Sequence, residues 1–189
     1  MRLLKIMIPC LLLGACMFGT SKNAKFYTMT AIPGSAVSAD YNAFVGVNRV
    51  QLPKYMDRAQ IITQYKDSAQ IKISEYNRWV ESPATLATRV LTEDLSILLP
   101  SAQIKENRFK KRATDYVITV EIIEINAVLG QKAEMTAWYT IQDEVGNVQN
   151  YQKFTSSVLI GKTYDELAQG YSELLMKLSQ EIASHLIVK

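Results

Sequence analysis

Side chains that do chemistry are scarce in this sequence. Its 189 residues hold one histidine, His185, and two cysteines, Cys10 and Cys16. A single histidine without a spare thiol cannot build a His-rich zinc site, and no second histidine stands at ligand spacing. The eight glycines are scattered; they form no phosphate-binding loop, G-x-S-x-G elbow or G-x-G-x-x-G fingerprint. Nucleophilic catalysis would then need a Ser-Lys or carboxylate arrangement, and no spacing nominates one. Glu121 and Glu124 share a strand, are expected on opposite faces, and make no general acid/base pair. No catalytic residue, no metal and no cofactor is expected, so the sequence points away from an enzyme. His185 sits beside an apolar stripe, where a structural or surface role is expected.

Long apolar runs and an excess of one charge are also missing. The one uninterrupted run, from Ile6 to Leu13, is too short for a permanent membrane helix, which needs about 20 residues. Lys and Arg together number 21 against 18 Asp and Glu, a balance that makes no case for nucleic acid.

What the chain does have lies at its start. Arg2 and Lys5 precede the apolar run, and Leu13-Gly14-Ala15-Cys16 follows. That is the layout of a secretory signal, and the last four residues match the lipobox of bacterial lipoproteins. Residues 1–15 are therefore expected to be cleaved, leaving Cys16 to carry a covalent lipid. Multiple acyl chains anchor stably where one would be marginal. Cleavage removes two basic residues and no acid, so 19 basic residues face 18 acidic ones in the mature chain. It also removes Cys10, so no internal disulfide can form. Met17 replaces the Asp that favours inner-membrane retention in enterobacterial lipoproteins, which leans the chain toward the periplasmic face of the outer membrane. Residues 16–25 read as the lipidated cysteine and a short tether, and residues 26–189 as a single domain.

Along the domain, Phe26-Tyr27-Thr28-Met29 reads as extended and Ala31 to Asp40 as a loop. Phe44 to Leu52 has strand character, closed by Pro53. Ile61 to Lys66 and Ala69 to Ile73 flank a hairpin turn at Asp67-Ser68. Ser82-Pro83 caps a helix whose apolar face runs from Leu86 to Leu99 at 3–4 spacing. Tyr116 to Ile125 reads as a strand whose alternation slips at Ile123-Glu124, the mark of a bulge. Ala133 to Gln142 alternates as a half-buried strand with Trp138 outward. Val145-Gly146-Asn147 turns the chain, and Tyr151 to Ile160 follows with Phe154, Val158 and Ile160 on one parity. Thr163 and Glu166 form a capping box ahead of a long stripe from Tyr164 to Leu186. The expected class is α+β: a mainly antiparallel sheet with two long amphipathic helices packed on one face.

Two surface features add to this. Lys105, Arg108, Lys110, Lys111 and Arg112 cluster ahead of the Tyr116 strand, as a solvated loop or, more sharply, as a contact for anionic headgroups or an acidic partner. Tyr55, Tyr76, Trp79 and Trp138 suit either a core or an interface.

With these segments placed, a family likeness emerges. Phe26-Tyr27-Thr28-Met29 is similar to the "FYTL" start of the ABC-type transport auxiliary lipoproteins, the PqiC/YmbA-like family. The run from Val45 to Thr63 resembles that family's "VGVGPV-x-LP-x-YLDRPQIVTR" block nearly throughout. Ile73 to Glu81 resembles "AEFDRWAEPL", and Arg89 to Pro100 resembles "RVLAENLAALLP". Asn48 stands where the family often has Gly, and Ala59 where it often has Pro. The resemblance implies an outer-membrane, non-enzymatic partner of a mammalian-cell-entry (MCE) type lipid transport system, docking an MCE-domain protein and supporting envelope integrity. Assembly into a homo-oligomer is compatible with it. Pro53, Tyr55, Asp57 and Arg58 would form a recognisable partner surface or, more simply, a structural corner held by an Asp57–Arg58 ion pair. The alternative is a lipoprotein that activates a cell-wall synthase or pilots a secretion complex.

Overall fold

The computed structural model describes residues 22–107 and 114–188. The signal segment, Cys16, and the basic residues Arg108, Lys110, Lys111 and Arg112 lie outside the described residues. Strand β1 (Lys25–Tyr27) is followed by an irregular stretch that reaches β2 (Phe44–Val47). A hairpin of β3 (Gln60–Gln64) and β4 (Ile71–Trp79) leads to helix α1 (Pro83–Leu98) and then to β5 (Gln103–Glu106). Three long strands follow, β6 (Tyr116–Val128), β7 (Lys132–Asp143) and β8 (Val148–Leu159), before helix α2 (Tyr164–Ile187) closes the chain.

The class is α+β, but the strands form two mixed sheets in place of one mainly antiparallel sheet. The smaller sheet has the order β1-β4-β3, with β1 parallel to β4. The larger has the order β5-β2-β6-β7-β8, with β2 parallel to both β5 and β6. Parallel neighbours require a crossover, and the hairpin and α1 supply it between β2 and β5. Strand β5, unannounced by any alternation long enough to read, completes that edge. Phe44 to Leu52 proves shorter as a strand than expected: it leaves the ladder after Val47 and rejoins only through a bridge from Gln51 to Glu121. Asn48, in the family's glycine position, holds the gap closed. Its Nδ2 donates to Thr119 Oγ1 at 2.8 Å, and its Oδ1 accepts from Asn107 Nδ2 at 2.8 Å.

Local chemistry explains the element ends. Ser82 Oγ accepts from the Thr85 amide at 3.3 Å, capping α1. Thr163 and Glu166 form both halves of the capping box that starts α2. Asp67 turns the β3–β4 hairpin at a positive φ of 52°, a conformation that Asp tolerates better than most residues. The bulge in β6 falls between Ile122 and Glu124. It restarts the alternation, so Glu121 and Glu124 both end up exposed, not on opposite faces.

The core forms where the inward rows of β6, β7 and β8 meet the helices. Ile118, Val120, Ala137, Tyr139, Leu86, Leu91, Leu95, Leu167, Leu174 and Ile182 are all fully enclosed. Helix α1 contacts α2 and β5, and α2 contacts β7 and β8. Trp79 is buried and stacks on Tyr171, with ring centroids 6.0 Å apart. Trp138 lies on the outer sheet face, stacked on Tyr151 at 4.8 Å. Tyr55 and Tyr76 are exposed.

Candidate functional site

The segment between β2 and β3 makes a tight corner. Pro53 O accepts from the amides of Met56 (2.8 Å) and Asp57 (3.3 Å), and Met56 O accepts from Arg58 N at 2.8 Å. These bonds turn Lys54 and Tyr55 outward and bury Met56; Tyr55 is 48 % exposed and Met56 only 8 %. The next residue, Ala59, accepts from Trp79 N at 2.7 Å, which ties the corner to the end of β4.

Asp57 does not pair with Arg58. Its Oδ1 accepts from the Ala84 amide in the first turn of α1 at 3.2 Å, and its Oδ2 lies 3.4 Å from Arg49 Nη2. Arg49 also donates to Ser82 Oγ, the helix cap, at 2.9 Å. A carboxylate beside the free amides of a helix start is favoured by both hydrogen bonding and the helix dipole. A neighbour in sequence could not offer that, so the long-range partner wins. Arg58 donates from Nε to Gln60 Oε1 at 3.1 Å.

Beneath the corner is a small apolar space of about 20 Å³, lined by Met29, Met56, Gln60, Trp79, Met135 and Tyr171 among others. The hydroxyl of Tyr171 is buried and has no hydrogen-bond partner. Burial holds this phenol well above its ordinary range, and the nearby Tyr55 adds to the rise. An unpartnered buried hydroxyl costs about 1–3 kcal/mol.

Two further polar clusters escaped the sequence reading. Asp94 is fully enclosed between the helices; Ile32 N donates to its Oδ1 and Ser179 Oγ to its Oδ2, each at 3.3 Å. Burial pushes its carboxyl up to about 6, and the two hydrogen bonds hold it back from going further. Its position, three and four residues after Leu91 and Val90 on the apolar stripe, was a legible sign. His185 belongs to the second cluster: Nδ1 lies 2.6 Å from Tyr139 Oη, which also reaches Glu181 Oε1 at 3.0 Å. Burial, followed by the Glu181 carboxylate, raises the Tyr139 phenol. This cluster clamps α2 onto β7.

Of the basic cluster, Lys105 falls on β5, and the rest of it lies outside the described residues. Among the described residues, no group of three or more His, Cys, Asp or Glu could hold a metal. No helix among them is long and apolar enough to cross a membrane.

A family described as the ABC-type transport auxiliary lipoprotein component matches residues 27–183, and the chain belongs to that family. The family is one of lipoproteins and transport components. The fold is shared with a crystal structure of an uncharacterized protein (TM-score 0.72, 16 % identity), covering 87 % of this chain and 99 % of the other. It is shared as well with a Xanthomonas campestris protein of the DUF330 family (TM-score 0.71, 11 % identity), covering 87 % and 95 %. No curated protein sequence matches the chain.

Proposed function

We propose that the chain is the outer-membrane lipoprotein subunit of an MCE-type intermembrane lipid transport system. Acyl chains on Cys16 hold it at the membrane, and the domain serves as a binding scaffold for the end of an MCE-domain protein. The observation that carries this reading is the family match, which spans nearly all of the described domain. The exposed Tyr55 on a corner braced by Asp57 suits a rigid docking surface. Lys110, Lys111 and Arg112 would meet anionic headgroups.

The test is affinity purification of the chain from solubilised envelopes. Enrichment of an MCE-domain protein, with detergent sensitivity on deletion, is expected. Enrichment of a peptidoglycan synthase or secretin without any MCE-domain protein would overturn it. Cys16→Ser should release the chain from the membrane fraction, and Lys110, Lys111 and Arg112 changed to Ser should weaken binding to anionic liposomes.

A further inference from the structure

The space beneath the corner has the make-up of a closed ligand site. Strands of both sheets and both helices contribute to its wall, and three of its side chains are methionines, Met29, Met56 and Met135. Methionine is the most deformable of apolar side chains, and walls rich in it can repack around a guest. As it stands, the space holds about one water, and a water there needs two to four polar partners. The wall offers few, since only Gln60, Trp79 and Tyr171 among its lining side chains carry a polar atom. Gln60 Oε1 is already engaged by Arg58. The buried Tyr171 hydroxyl nevertheless lacks a partner, and a protein seldom leaves such a donor unused.

We infer that this space is the closed form of a site for one acyl chain. The chain enters as Met56 swings out from under the corner, and Tyr171 donates to the acyl carbonyl or carboxylate oxygen. The apolar tail replaces the methionine contacts, and the carbonyl satisfies a hydroxyl that the fold leaves without a partner. Gln60 and Leu52, half-buried at the edge of the space, mark its rim, and Arg58 stands beside Gln60. The site is independent of which protein partner the lipoprotein meets. The acyl chain could come from a free fatty acid or from a membrane phospholipid, and the experiment separates the two.

The chain has two tryptophans, and they report separately. Trp79 lines the space, whereas Trp138 is on the outer sheet face. In a Trp138→Phe background, the full chain is mixed with phosphatidylcholine vesicles. One arm carries a dibrominated acyl chain on the phospholipid; the other adds free dibromostearate to unbrominated vesicles. Bromine quenches only on contact, so loss of Trp79 emission in either arm identifies that source. Tyr171→Phe, which keeps the ring packing, should weaken the binding about fivefold. Met56→Ala, which opens the space, should strengthen the quenching. Quenching in neither arm, or quenching to which both substitutions are indifferent, overturns the assignment.

Discussion

Asp94 on α1 and Ser179 on α2 meet in the closed interior between the helices, Ser179 Oγ donating to Asp94 Oδ2 across 3.3 Å. The pair is reached by the irregular stretch after β1, because Ile32 N donates to the other carboxylate oxygen. A little further back, Thr30 N donates to Ser172 Oγ, and Arg89 donates to Met29 O. The stretch after β1 is thus pinned to both helices.

This arrangement makes stability depend on pH. The folded carboxyl of Asp94 titrates near 6 against 3.8 for the free group, so the folded state binds the proton more tightly than the unfolded one. Stability from this group is therefore full below about pH 4 and falls as pH rises to 6, by about 3 kcal/mol in all. Asp94→Asn keeps the shape and removes the charge. The variant should match the parent near pH 4 and melt higher than it at pH 7. A difference in melting temperature that does not grow across that interval would refute the buried, reluctant carboxylate.

The corner gives a second contrast. Asp57 bonds the first turn of α1 and pairs with Arg49, so Asp57→Ala should cost about 1 kcal/mol, as losing a helix cap does. Arg58→Ala removes one partly buried contact to Gln60 and should stay within about 0.5 kcal/mol. Thermal or urea melts of the two variants decide it; equal losses would restore the local Asp57–Arg58 pair.

Sequence periodicity was enough for most elements and not for their pairing. The cap at Ser82, the box at Thr163 and Glu166, the turn at Asp67 and the slip at Ile123-Glu124 are local devices, visible within four or five residues. Which strand lies beside β2 is not local. Its neighbours β5 and β6 come more than fifty residues later, and the short runs 44–47 and 103–106 carry too few alternations to declare a face. The same limit applies to the corner. Pro53 to Arg58 stood out as a block, but Asp57 chose a helix amide 27 residues away over the cation beside it. Tyr171 looked like one more member of the α2 stripe, and nothing in that spacing shows that its hydroxyl lacks a partner.

The capping box supports a third expectation. Thr163 Oγ1 accepts from Glu166 N at 3.2 Å, and Glu166 Oε2 accepts from Thr163 N at 3.0 Å. Thr163→Ala should lower stability by about 1 kcal/mol. Gly161 supplies an independent route to the same loss, because a Cβ there would land on the Glu166 carboxylate. Gly161→Ala should push Glu166 off its amide and destabilise to a similar degree. Both substitutions remove the bond that Thr163 Oγ1 donates to Glu166 Oε2 at 2.7 Å, so the double variant should lose less than the sum of the two single ones; full additivity would show that this bond couples nothing.

Gly170 shows where propensity and packing pull apart. In the middle of a helix, Gly→Ala normally stabilises by about 1 kcal/mol. At this position a Cβ would run into Ile160 Cγ2 and touch Val158 Cγ2 at 3.4 Å, because α2 passes close over the end of β8. Ile160 is buried and β-branched, so its χ1 is stiff and it cannot swing aside cheaply. Overpacking of this kind costs about 1–3 kcal/mol, enough to reverse the helix gain. Gly170→Ala should therefore destabilise the domain. Shortening the opposing side chain should undo much of the damage: Ile160→Ala costs stability alone, yet in its presence Gly170→Ala should turn neutral or favourable. A melt series on the two single variants and the double variant measures that sign change, and its absence would refute the close packing of Gly170 on Ile160.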